Sequence, residues 1–204
     1  MSSLSVNLQK GQKVDLTKGN AGSTKLMVGL GWDPIKKSGG FLGGMFGGGA
    51  GNEIDCDASV IMLDANNKFT KKEDVVFFGN LKHPSGSIQH MGDNLTGDGD
   101  GDDEQVKIDL SRVPADIHHL IFVVNIYDCQ RRKQDFGLIQ NAFIRIVNDS
   151  NNQELLKFNL SESYAGRTAL IIGEVYRNNN EWKFAAIGEG TTDISLSELL
   201  KRYA

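Results

Sequence analysis

Two acidic segments of this sequence have the residue types that bind metal ions. The first runs from Gly92 to Glu104 and holds six carboxylates and four glycines in thirteen residues, with no Lys or Arg. Carboxylates this close repel one another, so a folded chain keeps them only where another charge offsets the repulsion. Ca²⁺ takes about 6–8 oxygen ligands, which Asp, Asn and backbone carbonyls on a flexible glycine-rich loop can supply. The segment therefore predicts calcium binding.

The second acidic segment is Asp55-Cys56-Asp57. Side chains two residues apart on a strand share one face, so both carboxylates can point the same way. If the ends of neighbouring strands bring this pair against the 92–104 loop, the two segments together complete one or two cation sites. We therefore predict that the two acidic segments meet in the fold.

The glycine-rich acidic loop does not fit an EF-hand. Placing Asp98, Asp100 and Asp102 at the first, third and fifth loop positions puts Asp103 where the sharp turn needs glycine. The twelfth position becomes Asp109, which lies in a strand-like alternation, and no helical pattern flanks the loop. The alternative that remains open is a solvated loop without a metal.

The overall charge argues against a nucleic-acid partner. The 204 residues carry a net charge of −4, of which the loop contributes −6, so the other 191 residues sum to +2. The acidity is local and no strongly basic face is indicated, whereas nucleic-acid binding needs one.

The apolar pattern is typical of short strands. Strands are predicted over 25–30, 59–63, 75–78, 106–110, 120–126, 142–147, 154–160, 169–176 and 181–187. A helix is predicted only near the end, where Ser195 and Glu198 form a capping box. The predicted fold class is all-β, a β-sandwich with a short terminal helix.

We predict one sandwich domain over residues 1–190, with a glycine-rich insertion at 38–52, and a helical tail over 191–204. Eight of the fifteen insertion residues are glycine, which makes ordering entropically costly. The insertion also carries Phe41, Leu42, Met45 and Phe46. It is either a plain surface insertion or an apolar finger that contacts a partner or a membrane surface.

Catalytic motifs are lacking. The four histidines, at 83, 90, 118 and 119, have no zinc-hydrolase spacing, and no serine lies in a G-x-S-x-G elbow. Cys56 and Cys129 are far apart in the sequence and are predicted to be buried thiols in strands. We therefore expect a protein that is not an enzyme. The N-terminus lacks a signal-peptide pattern and no apolar run reaches ~20 residues, so a cytoplasmic location is expected.

The sequence resembles the TerD family of tellurium-resistance and general stress proteins, in order from about Ser5 to Glu189. The segments that carry the resemblance are Val28–Asp33, Asp55–Ser59, Phe77–Leu81, Gly92–Gly97, Gly101–Glu104, Asn141–Arg145 and Gly173–Arg177. The glycine-rich insertion and the tail beyond Gly190 lie outside the resemblance.

The resemblance implies a calcium-binding β-sandwich without an assigned biochemical activity. The ligands that it implies are Asp55, Asp57, Asp93, Asn94, Asp102, Asp103 and Glu104. Asp98 and Asp100 are added because of the loop's charge density, and two ions would cancel most of that charge. The family is associated with resistance to tellurite and other chemical stress in bacteria, in protein assemblies near the inner membrane.

The predicted function is therefore a calcium-dependent interaction module whose partners are other proteins of a stress-resistance complex. One alternative is a calcium-dependent membrane-surface module, cytoplasmic and peripheral to the inner membrane, with residues 38–52 as the membrane contact. The other alternative is a thiol redox enzyme acting on oxyanions.

Overall fold

Residues 5–18, 24–35, 54–92 and 101–204 are described by a computed structural model. The glycine-rich insertion at 38–52 lies outside these residues. So do four of the predicted ligands, Asp93, Asn94, Asp98 and Asp100. The predictions made for these segments therefore stay predictions.

The described chain forms two six-stranded sheets. Sheet I has the order β1 (Val6–Leu8), β10 (Gln153–Asn159), β9 (Ile139–Asn148), β3 (Lys25–Pro34), β7 (Glu104–Asp109) and β6 (Ile88–His90). Sheet II has the order β2 (Lys13–Asp15), β12 (Glu181–Thr191), β11 (Ala169–Asn178), β8 (His119–Ile126), β4 (Cys56–Leu63) and β5 (Val75–Val76). All strand pairs are antiparallel except β1 with β10. The predicted β-sandwich class is confirmed.

The inner faces of the two sheets share one buried core. Val28 and Val106 of sheet I belong to the same cluster as Val60 and Phe122 of sheet II. Alternate residues of each strand point into this core, which is the period that the pleat imposes. The arrangement fixes which residues of the acidic segments face inward.

The outer face of sheet II is also partly covered, which explains the continuous apolar run of β8. Ile121 and Val123 of β8 pack in a second buried cluster with Ile61 and with Leu199 of the terminal helix. β8 lies between β11 and β4 and is therefore a central strand, as its sequence predicts.

Two short helices occur in the described chain, α1 (Cys129–Arg132) and α2 (Leu196–Leu200). Single 3₁₀ turns span Lys72–Asp74, Leu110–Arg112, Phe136–Leu138 and Lys201–Tyr203. The predicted cap of α2 is confirmed, because the Ser195 hydroxyl accepts from the Glu198 N–H at 3.2 Å. Nowhere in the described segments is a helix long and apolar enough to cross a membrane.

The strand predictions hold for all nine predicted strands and fail in three respects. Strands β1, β2 and β6 are three residues long each, and no apolar pattern in the sequence predicts them. The strand predicted at 75–78 ends at Val76. The sequence predicts a strand at Cys129, but this residue begins α1. The residues that flank this helix, Asp128 and Lys133, both adopt positive φ angles.

Candidate metal centre

The two acidic segments meet at an open edge of the sandwich. β4 pairs with β8 along its whole length, but it pairs with β5 only at Val60 and Ile61. The start of β4 is therefore not covered by β5. Glu104, the first residue of β7 in the other sheet, fills this position, and its Oε2 accepts from the Ala58 N–H at 2.6 Å. This side chain joins sheet I to sheet II.

A histidine supports the buried Glu104 carboxylate. The Glu104 and His90 side chains are 1% and 0% exposed, and His90 Nε2 lies 3.4 Å from Glu104 Oε2. The Gly92 N–H donates to His90 Nδ1 at 3.3 Å, so the neutral ring carries its proton on Nε2, facing Glu104. His90 ends β6, which is the strand beside β7.

Four carboxylates act electrostatically on the Cys56 thiol. Asp55, Asp57 and Glu104 are all buried, at 8%, 5% and 2% exposure. Burial raises the pKa of Cys56 well above its usual value, and the negative charges of Asp57, Glu104, Asp55 and Asp103 raise it further. The carboxylates from both acidic segments are therefore close enough to act on one buried atom. We call these four residues the acidic edge.

The members of the acidic edge are anchored to different parts of the fold. Asp103 is fixed to β3, because its backbone N–H donates to the Leu30 carbonyl at 2.8 Å and its Oδ2 accepts from the Trp32 N–H at 2.7 Å. Asp55 Oδ2 lies 3.6 Å from an Arg132 guanidinium nitrogen. Strands from both sheets thus position the four carboxylates.

Asp102 is held in a different place and has different partners. Gly29 of β3 lies in register with Gln105 on one side and Arg145 on the other. The Asp102 carboxylate rests on Gly29, where an added Cβ would be only 2.2 Å from Asp102 Oδ1. Val28 is fully buried in the core, so Gly29 and the Asp102 carboxylate lie on the outer face of sheet I.

Both Asp102 oxygens accept hydrogen bonds in this position. Arg145 Nε donates to Oδ1 at 2.7 Å and Nη2 donates to Oδ2 at 2.9 Å, while Gln105 Nε2 donates to Oδ2 at 3.1 Å. The hydrogen bond to Asp102 raises the pKa of Arg145. Asp102 is thus part of a two-point ion pair, so we expect it to have a structural role instead of the metal-ligand role that the sequence predicts; no contact in the structure tests that ligand role.

The donor chemistry of the acidic edge fits a hard cation. Its charged oxygens are the ligands that Ca²⁺ and Mg²⁺ prefer, and no soft ligand except the protonated Cys56 lies among them. Within the described residues, no group of three or more His, Cys, Asp or Glu side chains is close enough to hold a metal ion by itself. Residues 93–100, which lie outside the described part of the chain, come between β6 and β7 in the sequence and include four further predicted ligands.

Sequence reasoning missed the residues that support the carboxylates. His90 is two residues before Gly92, but its spacing to the other histidines predicts no role for it. Arg145 lies in a segment that carries the family resemblance, and nothing in that segment predicts its ion pair with Asp102. The signal available for Gly29 was its position in an otherwise apolar strand, where a missing side chain often marks a close approach by another group.

The chain belongs to the TerD family, because the TerD domain family model matches residues 4–203. It is 62% identical over 200 residues to stress response protein SCP2 of Bacillus subtilis (strain 168), covering 98% of this chain and 100% of the relative. It is 43% identical over 187 residues to tellurium resistance protein TerD of Serratia marcescens, covering 92% of this chain and 91% of the relative.

A solved structure has the same fold. SCO6318 from Streptomyces coelicolor A3(2), described as a homologue of telluride resistance protein (TerD), superposes with a TM-score of 0.62 at 22% identity, covering 83% of this chain and 90% of that one. The family match includes α2, beyond the Glu189 limit of the resemblance identified from the sequence.

Proposed function

We propose that this protein is a bacterial stress-response protein that binds calcium at the acidic edge and acts without catalysis, as an interaction module for other stress-resistance proteins in the cytoplasm. The relatives named for stress response and tellurium resistance support the general role. The observation that supports the calcium proposal is that the two acidic segments meet at the start of β4, where the Glu104 carboxylate accepts from the Ala58 N–H close to Asp55 and Asp57.

Electrostatic repulsion among the carboxylates explains why calcium binding would change the stability of the acidic edge. Like charges that are buried and close together disfavour the compact arrangement unless a cation or a hydrogen-bond donor offsets them. Bound calcium supplies positive charge and oxygen coordination at this position. The protein's part is to hold β4 of one sheet and β7 of the other in register, through the Ala58–Glu104 hydrogen bond.

The proposed consequence is a surface that exists in two states. Without calcium the repulsion loosens the contact between the start of β4 and the 101–104 segment. With calcium the two sheets are joined at this edge, so a partner that recognises the joined edge binds better. We propose two ions, with the remaining ligands from Asp93, Asn94, Asp98 and Asp100.

The thiols argue against the redox alternative. Cys56 and Cys129 are both buried and free. Burial raises the pKa of both thiols, so the reactive thiolate is disfavoured at neutral pH. The membrane-surface alternative depends on residues 38–52, which are outside the described residues.

Thermal unfolding of the purified protein tests the calcium proposal. At free calcium ~100 times the Kd, binding to the folded state adds ~2.7 kcal/mol, which raises Tm by about 5–11 °C in a chain of this size. Magnesium should raise Tm much less, because it prefers strict octahedral and partly hydrated sites. Equal unfolding temperatures in calcium and in chelator would refute calcium binding.

A matched pair of variants tests the location. Glu104→Gln keeps an oxygen for the Ala58 N–H but removes one charge, so it should lose most of the calcium-induced rise in Tm. Asp149→Asn removes a carboxylate that is paired with Lys107 on the surface, at 3.0 Å, and should keep the full rise. The interaction role is tested by recovering bound proteins from tellurite-treated cells in calcium and in chelator, with Glu104→Gln as the negative control.

A further inference from the structure

A large cavity lies on the outer face of sheet II and shares Asp57 with the acidic edge. Its volume is about 910 Å³, within the range of about 300–1,000 Å³ that ligand sites have. It lies between the start of β4, the β5 region and α2. Most of its wall is apolar, formed by side chains that include Phe69, Phe77, Phe78, Leu196 and Leu200.

The floor of this cavity is polar and is built by two neighbouring strands. Asp57 and Asn125 face each other across β4 and β8, and Ser59 follows two residues after Asp57 on the same face. All three side chains line the cavity, and they are 5%, 7% and 2% exposed. A buried polar group at the bottom of an apolar cavity is costly unless something hydrogen-bonds to it.

Two of these floor oxygens have no partner among the described residues. Asn125 Nδ2 donates to Asp57 Oδ2 at 3.4 Å, which orients the amide and leaves Asn125 Oδ1 buried without a hydrogen bond. Ser59 Oγ is likewise buried without a hydrogen bond. Buried polar atoms without a hydrogen bond destabilise a fold, so these two oxygens favour a bound hydrogen-bond donor.

We propose that this cavity binds a small amphipathic molecule that has a primary ammonium group and an apolar body. An ammonium group has three N–H donors and no acceptor. The floor offers three kinds of oxygen acceptor, namely the Asp57 carboxylate, the Asn125 carbonyl and the Ser59 hydroxyl. The apolar body packs between Phe78 and Leu200.

The charge of the floor selects an ammonium over a carboxylate. Asp57 is buried and negative, so an anionic headgroup placed there meets repulsion in a poorly hydrated environment. Lys72 and Lys201 also line the cavity, but both are exposed, so water screens their charges. This small-molecule site is additional to the proposed interaction role.

Three probes with the same eight-carbon body separate the headgroup from the apolar contribution. Octylamine, 1-octanol and octanoic acid are each titrated into the purified full chain by calorimetry, in chelator so that calcium plays no part. Octylamine should bind at least tenfold more tightly than 1-octanol, and octanoic acid should bind most weakly. Equal affinity for all three probes would overturn the ammonium assignment.

Variants of the floor test the hydrogen bonds. Asn125→Ala and Ser59→Ala should each weaken octylamine about tenfold, as expected for a lost hydrogen bond to a charged group. Both should leave 1-octanol within about threefold. Ser59→Ala should unfold near the wild-type temperature, because its hydroxyl has no hydrogen-bond partner among the described residues. Asn125→Ala also loses the hydrogen bond to Asp57 Oδ2, so its affinities are measured at a temperature where it is folded. Unchanged octylamine affinity in both folded variants would overturn the proposal.

Two equally exposed residues test the wall. Phe78 and Leu81 are both 45% exposed, but only Phe78 lines the cavity. Phe78→Ala should weaken all probes that bind, and Leu81→Ala should weaken none. Equal effects of the two substitutions would place the binding elsewhere. Asp57 is shared with the acidic edge, but the substituted residues Ser59, Phe78 and Asn125 are not predicted calcium ligands and the titrations are done in chelator, so failure here leaves the calcium proposal standing.

Discussion

Replacing Asp102 by Asn tests whether this carboxylate has a structural role or binds a metal ion. The Asp102 side chain is 1% exposed and forms two hydrogen bonds with Arg145, whose side chain is 30% exposed. Breaking a fully buried pair costs about 3–5 kcal/mol. Arg145 keeps contact with water and with Glu154 at 3.4 Å, so we expect a smaller loss, about 2–3 kcal/mol.

This loss should lower Tm by about 4–12 °C in a chain of this size. The size of the loss should be the same in calcium and in chelator, because the carboxylate pairs with Arg145 and lies away from Cys56. Urea unfolding monitored by Trp fluorescence in both conditions measures it directly. The calcium-induced stabilisation of Asp102→Asn should match that of the wild type.

Glu154→Gln is the matched control for this experiment. Glu154 contacts the same guanidinium but is 31% exposed and more distant, so its loss should cost under about 1 kcal/mol. If Asp102→Asn has wild-type stability in chelator and loses the calcium effect, then Asp102 is a ligand and the structural interpretation of the Arg145 pair is refuted.

Three further predictions concern other parts of the fold. Burial raises the pKa of Tyr203 to about 12, against about 10 in the unfolded chain, so its stabilising contribution is complete below pH 10 and is lost as pH rises to 12. The free energy of unfolding should fall by about 1–2 kcal/mol after allowance for partial exposure. This fall should be absent in Tyr203→Phe and retained in Tyr127→Phe. Equal stability of the wild type at pH 9.5 and 11.5 would contradict the prediction. Cys56 and Cys129 should react with a thiol reagent at pH 8 far more slowly in the native protein than in urea, and similar rates would contradict their burial. Arg177→Lys should cost about 2 kcal/mol in urea unfolding, because the guanidinium donates to three backbone carbonyls and stacks on a Trp ring at 4.4 Å; a neutral substitution would show that these contacts contribute nothing.

Much of the fold follows from local pattern, because buried strands carry a strong apolar period. The 120–126 run predicts β8 almost to the residue, and the turn residues at 177–180 predict the β11–β12 hairpin, where Asn179 has a φ of 56°. Strands β1, β2 and β6 could not be predicted in this way. Three residues are too few to establish a period, and their pairing is decided by neighbours far away in sequence.

The acidic edge was only partly predictable for a related reason. Residues 102–104 are three consecutive acids, which the sequence treats alike. Glu104 is the first residue of β7 and points into the space between the sheets, whereas Asp102 precedes the strand and lies on the outer face beside Arg145, which is 43 residues away. The missing Cβ of Gly29 makes room for it. The three acidic residues therefore lie in different environments because of tertiary contacts, which no local sequence pattern contains.

Calorimetric titration of the chelator-treated wild type with calcium chloride tests the central claim most directly. We expect saturable binding of two ions per chain, with most of the binding heat lost in Glu104→Gln and retained in Asp149→Asn. A titration without binding heat, together with an unchanged unfolding temperature at saturating calcium, would contradict the claim that the acidic edge is a calcium site.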